Sequence, residues 1–164
     1  MRTVVGITGA SGAVFGLELL RRLPGERFAI LSRWGQHVTR EETGFGREDV
    51  AGLATRLFTD SDLSAPLASG SNAWDAMVIL PCSVSTVGKI AAGIGDTLVT
   101  RAAAVTLKEG RRLVVELWER LHRIEAAGNH FAQLVVPFVL FTPQPVASAA
   151  AAIVSAGTPT SPSS

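Results

Sequence analysis

The chain has no tyrosine and a single cysteine among its 164 residues, and aromatic residues make up only 6% of it. One thiol, Cys82, excludes an internal disulfide framework and accords with a reducing compartment. Charge is nearly balanced, 15 Lys and Arg against 14 Asp and Glu. That balance removes the electrostatic case for a nucleic-acid or membrane-surface partner. Three histidines, His37, His122 and His130, lie far apart in sequence, and no metal site is expected. No uncharged apolar run approaches the roughly 18 residues a membrane span needs. The N-terminus reads directly into a strand, with no basic-then-apolar leader, so a cytoplasmic protein is expected.

What is present is organised around Gly6-Ile7-Thr8-Gly9-Ala10-Ser11-Gly12-Ala13-Val14-Phe15-Gly16. It follows the apolar run Val4, Val5, Ile7 and opens a stretch with helical spacing at Val14, Leu17, Leu20 and Leu23. A strand, a glycine-rich turn and a helix present backbone N–H groups and a helix dipole to a phosphate. Gly9 and Gly12 allow a tight turn, and Thr8 and Ser11 add hydroxyls. The spacing differs from the dinucleotide G-x-G-x-x-G, because Gly6, Gly9 and Gly12 recur every three residues. A tight turn without a ligand is the plain alternative.

Along the chain, residues 2–8 read as a strand and 13–23 as a helix. Pro24-Gly25 is a turn, and 28–31 a short buried strand that ends at Ser32. Residues 35–43 suit a helix carrying Glu41 and Glu42; residues 47–58, with Val50, Leu53 and Leu57, read as a surface helix. Asp60 to Asn72 is polar and small, a loop long enough for a functional task. Ala76–Leu80 is a core strand running into Pro81-Cys82-Ser83-Val84-Ser85-Thr86, with a helix starting near Val87. This second hydroxyl cluster past a strand repeats the first loop and suggests a shared ligand groove. Residues 96–108 are helical in spacing, with Arg101 and Lys108 on one face, and 112–117 form a further strand. The alternation predicts an α/β fold, a mainly parallel sheet with helices on both faces. Beyond Trp118, residues 119–131 suit a helix, 134–141 a strand broken by Pro137, and 146–156 an alanine-rich helix. One domain over residues 1–156 is expected, with a disordered Ser/Pro tail at 157–164.

Two hydroxyl-rich turns at strand ends, with Ser32, suit a phosphate ester and a polar ring system. Arg101 can neutralise a phosphate and Lys108 can hold a second anion as a point charge. Glu42 and Glu119 are candidates for proton transfer if they enter the same pocket. Each also reads simply as charged surface, and Cys82 beside Pro81 reads as a buried small hydrophobe.

Taken together, Gly6–Ala13, Leu31-Ser32, Ala68-Ser69-Gly70-Ser71, Val78–Ser83 and Thr100–Glu109 resemble the UbiX-type flavin prenyltransferases, in order and in interval, over about residues 2–115. The resemblance implies a Rossmann-like three-layer sandwich of the homo-oligomeric flavin-containing Cys decarboxylase type. It implies metal-independent transfer of a dimethylallyl group from dimethylallyl phosphate to N5 and C6 of reduced FMN. The prenylated FMN would serve a UbiD-type decarboxylase, and the chain would form a homo-oligomer with ligand sites between subunits. By position, Gly9, Ala10 and Ser11 would hold FMN, with Ser32, Ser83, Val84, Ser85, Thr86 and Arg101 completing its site. Ser69 and Gly70 would lie near the isoalloxazine, Lys108 at the donor phosphate, and Glu42 and Glu119 at the family's two glutamate positions.

The pattern departs from the family after Leu117. Trp118-Glu119-Arg120-Leu121 stands where an Arg-Glu-x-Pro segment is usual, Phe141-Thr142-Pro143-Gln144-Pro145 lacks the family's tyrosine, and no Lys or Arg follows Arg123. A diverged or frame-shifted C-terminal third produces such a pattern. The alternative function is therefore an FMN-binding homologue without prenyl transfer, either diverged or a flavin-dependent Cys decarboxylase. A short-chain dehydrogenase, prompted by Thr8–Gly12, is excluded because its Tyr-x-x-x-Lys pair has no tyrosine to draw on. A non-enzymatic binding module is the remaining fallback.

Overall fold

A computed structural model of the chain describes residues 1–117 and the backbone of a short strand at 136–138. Elements follow in the order β1 (Arg2–Ile7), α1 (Ala13–Arg22), β2 (Glu26–Leu31), α2 (Arg33–Thr43), α3 (Arg47–Leu53) and β3 (Arg56–Thr59). After a 3₁₀ turn at Pro66–Ala68 come β4 (Ala76–Cys82), α4 (Val84–Ala91), α5 (Leu98–Lys108), β5 (Arg112–Leu117) and β6 (Val136–Phe138). The sheet order is β3-β2-β1-β4-β5-β6; the first five strands run parallel and β6 pairs antiparallel to β5.

The layers follow from which residues each strand turns to which side. Val4 of β1 joins Ile30, Met77, Ile79, Leu113 and Val115 beneath Leu98, Val99, Ala102 and Ala103 of α5. The alternate residues Val5 and Ile7 join Ala29 and Leu31 beneath Leu17 and Leu20 of α1 and Val50 of α3. A strand buried on both faces is an apolar run rather than an alternation, which is what residues 4–7 show. Each fully buried Leu or Ile contributes about 1.5–3 kcal/mol relative to exposure. Helices on both faces of a mainly parallel sheet make the three-layer α/β sandwich that the sequence predicts.

One expected element is corrected. The helix read over residues 47–58 ends at Leu53, and Arg56–Thr59 is the edge strand β3, paired in register with Phe28–Leu31. Ala54 turns to extended backbone at φ −108°, ψ 153°, so the helical spacing of Leu57 is coincidental. The helices expected at 119–131 and 146–156, the turn at 142–145 and the tail at 157–164 lie outside the described residues.

Topology fixes where a ligand goes. The chain steps from β1 outward to β2 and β3, then returns to the other side of β1 for β4. The loops after β1 and β4 therefore leave in opposite directions and open a crevice at the carboxyl ends of the strands. Doubly wound sheets bind ligands at such a switch point.

Candidate functional site

Thr8 ties the two crevice loops together. Its side chain is 3% exposed and its Oγ1 donates to Pro81 O at 2.9 Å while accepting from Ser83 N at 2.8 Å. Its backbone N–H donates to the same Pro81 oxygen at 3.1 Å. The shared groove expected from the two hydroxyl-rich turns is thus one hydrogen-bonded unit.

Three helices reach this unit or its edge with their N-termini, each capped by its own hydroxyl. Ser32 Oγ accepts from Gly35 N at 2.9 Å at the start of α2. Ser83 Oγ accepts from Thr86 N at 3.3 Å at the start of α4, and lies 3.1 Å from Ser85 Oγ and 2.8 Å from Thr86 Oγ1. Thr97 caps α5, whose first turn is also held by Asp60: Leu98 N donates to Asp60 O and Val99 N to Asp60 Oδ1, both at 2.7 Å. Such N-termini favour anions through free N–H groups and the helix dipole.

α1 differs. Its N-cap is Gly12 at φ +96°, a left-handed conformation that disfavours any side chain, and no hydroxyl caps it. The Glu42 carboxylate supplies the acceptor instead. Gly12 N donates to Oε1 at 3.1 Å and Oε2 at 3.0 Å, and Ala13 N donates to Oε2 at 2.9 Å. Gly9 packs directly on Trp34, where a Cβ would overlap the Trp34 side chain at its base. The glycine loop thus lies along α2, from Trp34 near its start to Glu42 near its end.

Arg101 sits in the first turn of α5, exposed, and a Cβ on Gly95 would lie 3.4 Å from its Nε. Among the described residues no carboxylate forms an ion pair with it. Apolar side chains stand exposed in the first turns of the helices leaving the loops: Val14 and Phe15 on α1, Trp34 on α2, Val84 on α4. Backbone N–H groups, hydroxyls, a cation and an apolar rim form the donor set that a phosphate-bearing planar ring requires.

The other expected site residues lie elsewhere. Ser69 and Gly70 sit at the opposite, amino-terminal edge of the sheet: Gly70 O accepts from Arg111 Nη2 at 3.2 Å, just before β5 begins, and a Cβ on Gly70 would overlap the Glu109 carboxylate. Lys108 ends α5 at that same edge, 80% exposed, with its Nζ 3.7 Å from Glu109. An 11-residue helix is about 16 Å long, so Arg101 and Lys108 share a face but serve different ends. Glu119 lies outside the described residues.

One carboxylate escaped the sequence reading. Glu116, next to the end of β5 and in the row of strand ends that includes Cys82, is half-buried, and desolvation raises its pKa above the ordinary carboxylate value. Its only sequence signal is a charge inside the apolar run Leu113–Leu117. A raised folded pKa favours the neutral form, so this residue's favourable contribution is full below the unfolded value and is lost as pH rises through the folded one. Glu116→Gln is therefore expected to raise the urea midpoint at pH 7.5 and to leave it unchanged near pH 4; an equal shift at both pH values contradicts this. Cys82, buried and free, has its thiol pushed up to about 12 by desolvation, which makes it a core residue rather than a nucleophile at neutral pH. No group of three or more potential metal ligands occurs among the described residues, nor does any helix long and apolar enough to cross a membrane.

Hydroxyl-capped helix N-termini around the switch point of a parallel sheet define an α/β domain built to receive an anionic ligand. The flavoprotein family matches residues 1–125. Flavin prenyltransferase UbiX of Thermoplasma acidophilum is 49% identical over 116 residues, which span 70% of this chain and 64% of that relative. The dodecameric FMN-dependent UbiX-like decarboxylase of Escherichia coli O157:H7 is similar in structure, with a TM-score of 0.71 at 38% identity, covering 78% of this chain and 75% of that one. AnUbiX, in complex with FMN and dimethylallyl pyrophosphate, gives 0.70 at 39% identity over 73% and 65% of the two chains. The chain belongs to the flavoprotein family, in its UbiX-type branch.

Proposed function

We propose that the protein is a flavin prenyltransferase that moves the dimethylallyl group of dimethylallyl phosphate onto N5 and C6 of reduced FMN. The observation that carries this is the convergence of the Thr8–Gly12 loop, Ser32, the Ser83–Thr86 turn and Arg101 at one edge of the sheet, in a chain whose relatives carry this activity in their names. Reduced FMN supplies the nucleophilic ring and the prenyl donor supplies the electrophile.

Within that reading, Gly9, Ala10 and Ser11 bring bare backbone to the flavin, and the hydroxyls of Ser32, Ser83, Ser85 and Thr86 donate to its phosphate and ribityl oxygens. Arg101 neutralises the phosphate in a charge-assisted contact. Val84 and the neighbouring apolar rim exclude water from the ring. When the allylic C–O bond breaks, the electron pair leaves with phosphate, and Lys108 stabilises that charge. N5 takes the allylic carbon and gives up its proton. Protonation of the remaining C=C then makes its tertiary carbon electrophilic, C6 attacks that carbon, and the C6 proton leaves to Glu119; the steps need no metal.

Ser69, Gly70 and Lys108 lie too far from the FMN loops to join them within one protomer. Their placement supports a homo-oligomer in which the amino-terminal edge of one subunit completes the site at the carboxyl edge of another. The recipient of the product is a UbiD-type decarboxylase, and a cytoplasmic location accords with one buried, free thiol. The single domain over residues 1–156 belongs to the same reading. The test is transfer: filtrate from an anaerobic reaction is added to an apo UbiD-type decarboxylase. Gain of decarboxylase activity supports the assignment; none, with FMN bound, favours the second reading. That reading, an FMN-binding homologue without prenyl transfer, draws on the missing tyrosine and on the absence of Lys and Arg from residues 124–164.

A further inference from the structure

The glycine loop already holds an anion, and it is the protein's own. The Glu42 carboxylate accepts from the N-cap Gly12 N with both oxygens, at 3.0 and 3.1 Å, and from Ala13 N, the first N–H of α1, with Oε2 at 2.9 Å, which is where a bound phosphate would sit on a helix N-terminus. The carboxylate comes from the last turn of α2, a helix fixed at its other end to the same loop region. Ser32 N donates to Ile7 O at 3.0 Å, Gly35 packs against that carbonyl, and Trp34 packs on Gly9. α2 is thus a strut alongside residues 7–13, held at both ends. Gly12, at φ +96°, has no side chain of its own to cap α1.

We propose that Glu42 is a positioning residue whose carboxylate takes the place of a ligand anion at the N-terminus of α1, locks the Gly9–Gly12 loop against α2, and excludes phosphate from that helix end. A phosphate seated on Gly12 N and Ala13 N would displace the carboxylate or meet its like charge. The flavin phosphate is therefore left to the hydroxyls at the starts of α2 and α4 and to Arg101. The last statement rests on the FMN reading; the lock itself does not.

The neighbouring Glu41 provides the control, because it is exposed like Glu42 but makes no hydrogen bond or ion pair with α1 among the described residues. Amide hydrogen exchange of the full-length protein is followed over residues 9–15, with and without inorganic phosphate, in wild type and in E42A, E42Q and E41Q. In phosphate-free buffer, exchange in E42A is expected to rise tenfold or more over wild type, with a smaller rise in E42Q, whose amide oxygen still accepts one N–H. Added inorganic phosphate should restore protection in E42A and E42Q and leave wild type and E41Q unchanged. Should E42A fail to fold, the phosphate response of E42Q decides. Unchanged exchange in the foldable variants, or protection of wild type by phosphate at this segment, overturns the proposal. These outcomes are read without flavin or prenyl donor, so they stand whether or not prenyl transfer is found.

Discussion

Arg101→Ala is expected to weaken FMN binding by about 10- to 150-fold while leaving folding stability essentially unchanged. A hydrogen-bonded contact to a charged group contributes about 1.5–3 kcal/mol, which converts to that range of affinity. Little in the fold depends on the guanidinium. The side chain is exposed and pairs with no carboxylate among the described residues; its backbone N–H donates to Thr97 O at 2.8 Å, a bond alanine keeps. Alanine is also the better helix former. Fluorescence titration of FMN, paired with urea unfolding, separates the two effects. Equal FMN affinity in variant and wild type would place the phosphate away from α5.

Gly35→Ala is expected to destabilise the fold by about 1–3 kcal/mol or more, although it replaces a glycine in the first turn of α2 with the residue of highest helix propensity. Propensity alone favours the change by at most roughly 0.8–1 kcal/mol, the value for a helix interior. Sterics oppose it: the new Cβ would overlap the carbonyl oxygen of Ile7 and lie 2.9 Å from Ile7 C and 3.0 Å from Ser32 Oγ. Those are backbone and capping atoms that cannot give way without moving β1 from α2. Gly52→Ala, inside α3 with nothing within 4 Å of its Cβ position, is the matched control and should stabilise by up to about 1 kcal/mol. Opposite signs for one chemical change are the prediction; two stabilising results would contradict the close approach of α2 to β1.

The central elements were legible because local pattern and tertiary role agree. Val4, Val5 and Ile7 read as a buried strand and are one, and Ser32 and Ser83 sit one residue past strand ends where hydroxyls cap helices. Edge strand β3 was not legible, since Val50, Leu53 and Leu57 mimic a helical stripe while the pairing that makes Arg56–Thr59 a strand comes from β2, some 28 residues away. The placement of Lys108 depends on the direction of α5 relative to the sheet, and that of Ser69 and Gly70 on the crossover from β3 back to the start of β4, neither of which local spacing encodes. Glu42 read as a proton-transfer candidate, with one of two surface carboxylates as the alternative; its engagement with Gly12 spans 30 residues and exists only once α2 lies along the loop.

The claim that the chain prenylates flavin is tested most directly by mixing the protein anaerobically with reduced FMN and dimethylallyl phosphate and weighing the flavin by mass spectrometry. The account predicts a flavin heavier by one dimethylallyl unit, formed in proportion to enzyme and dependent on the donor. Recovery of FMN that is bound yet unchanged would contradict it, and would show a flavin site retained on residues 8–101 without the chemistry.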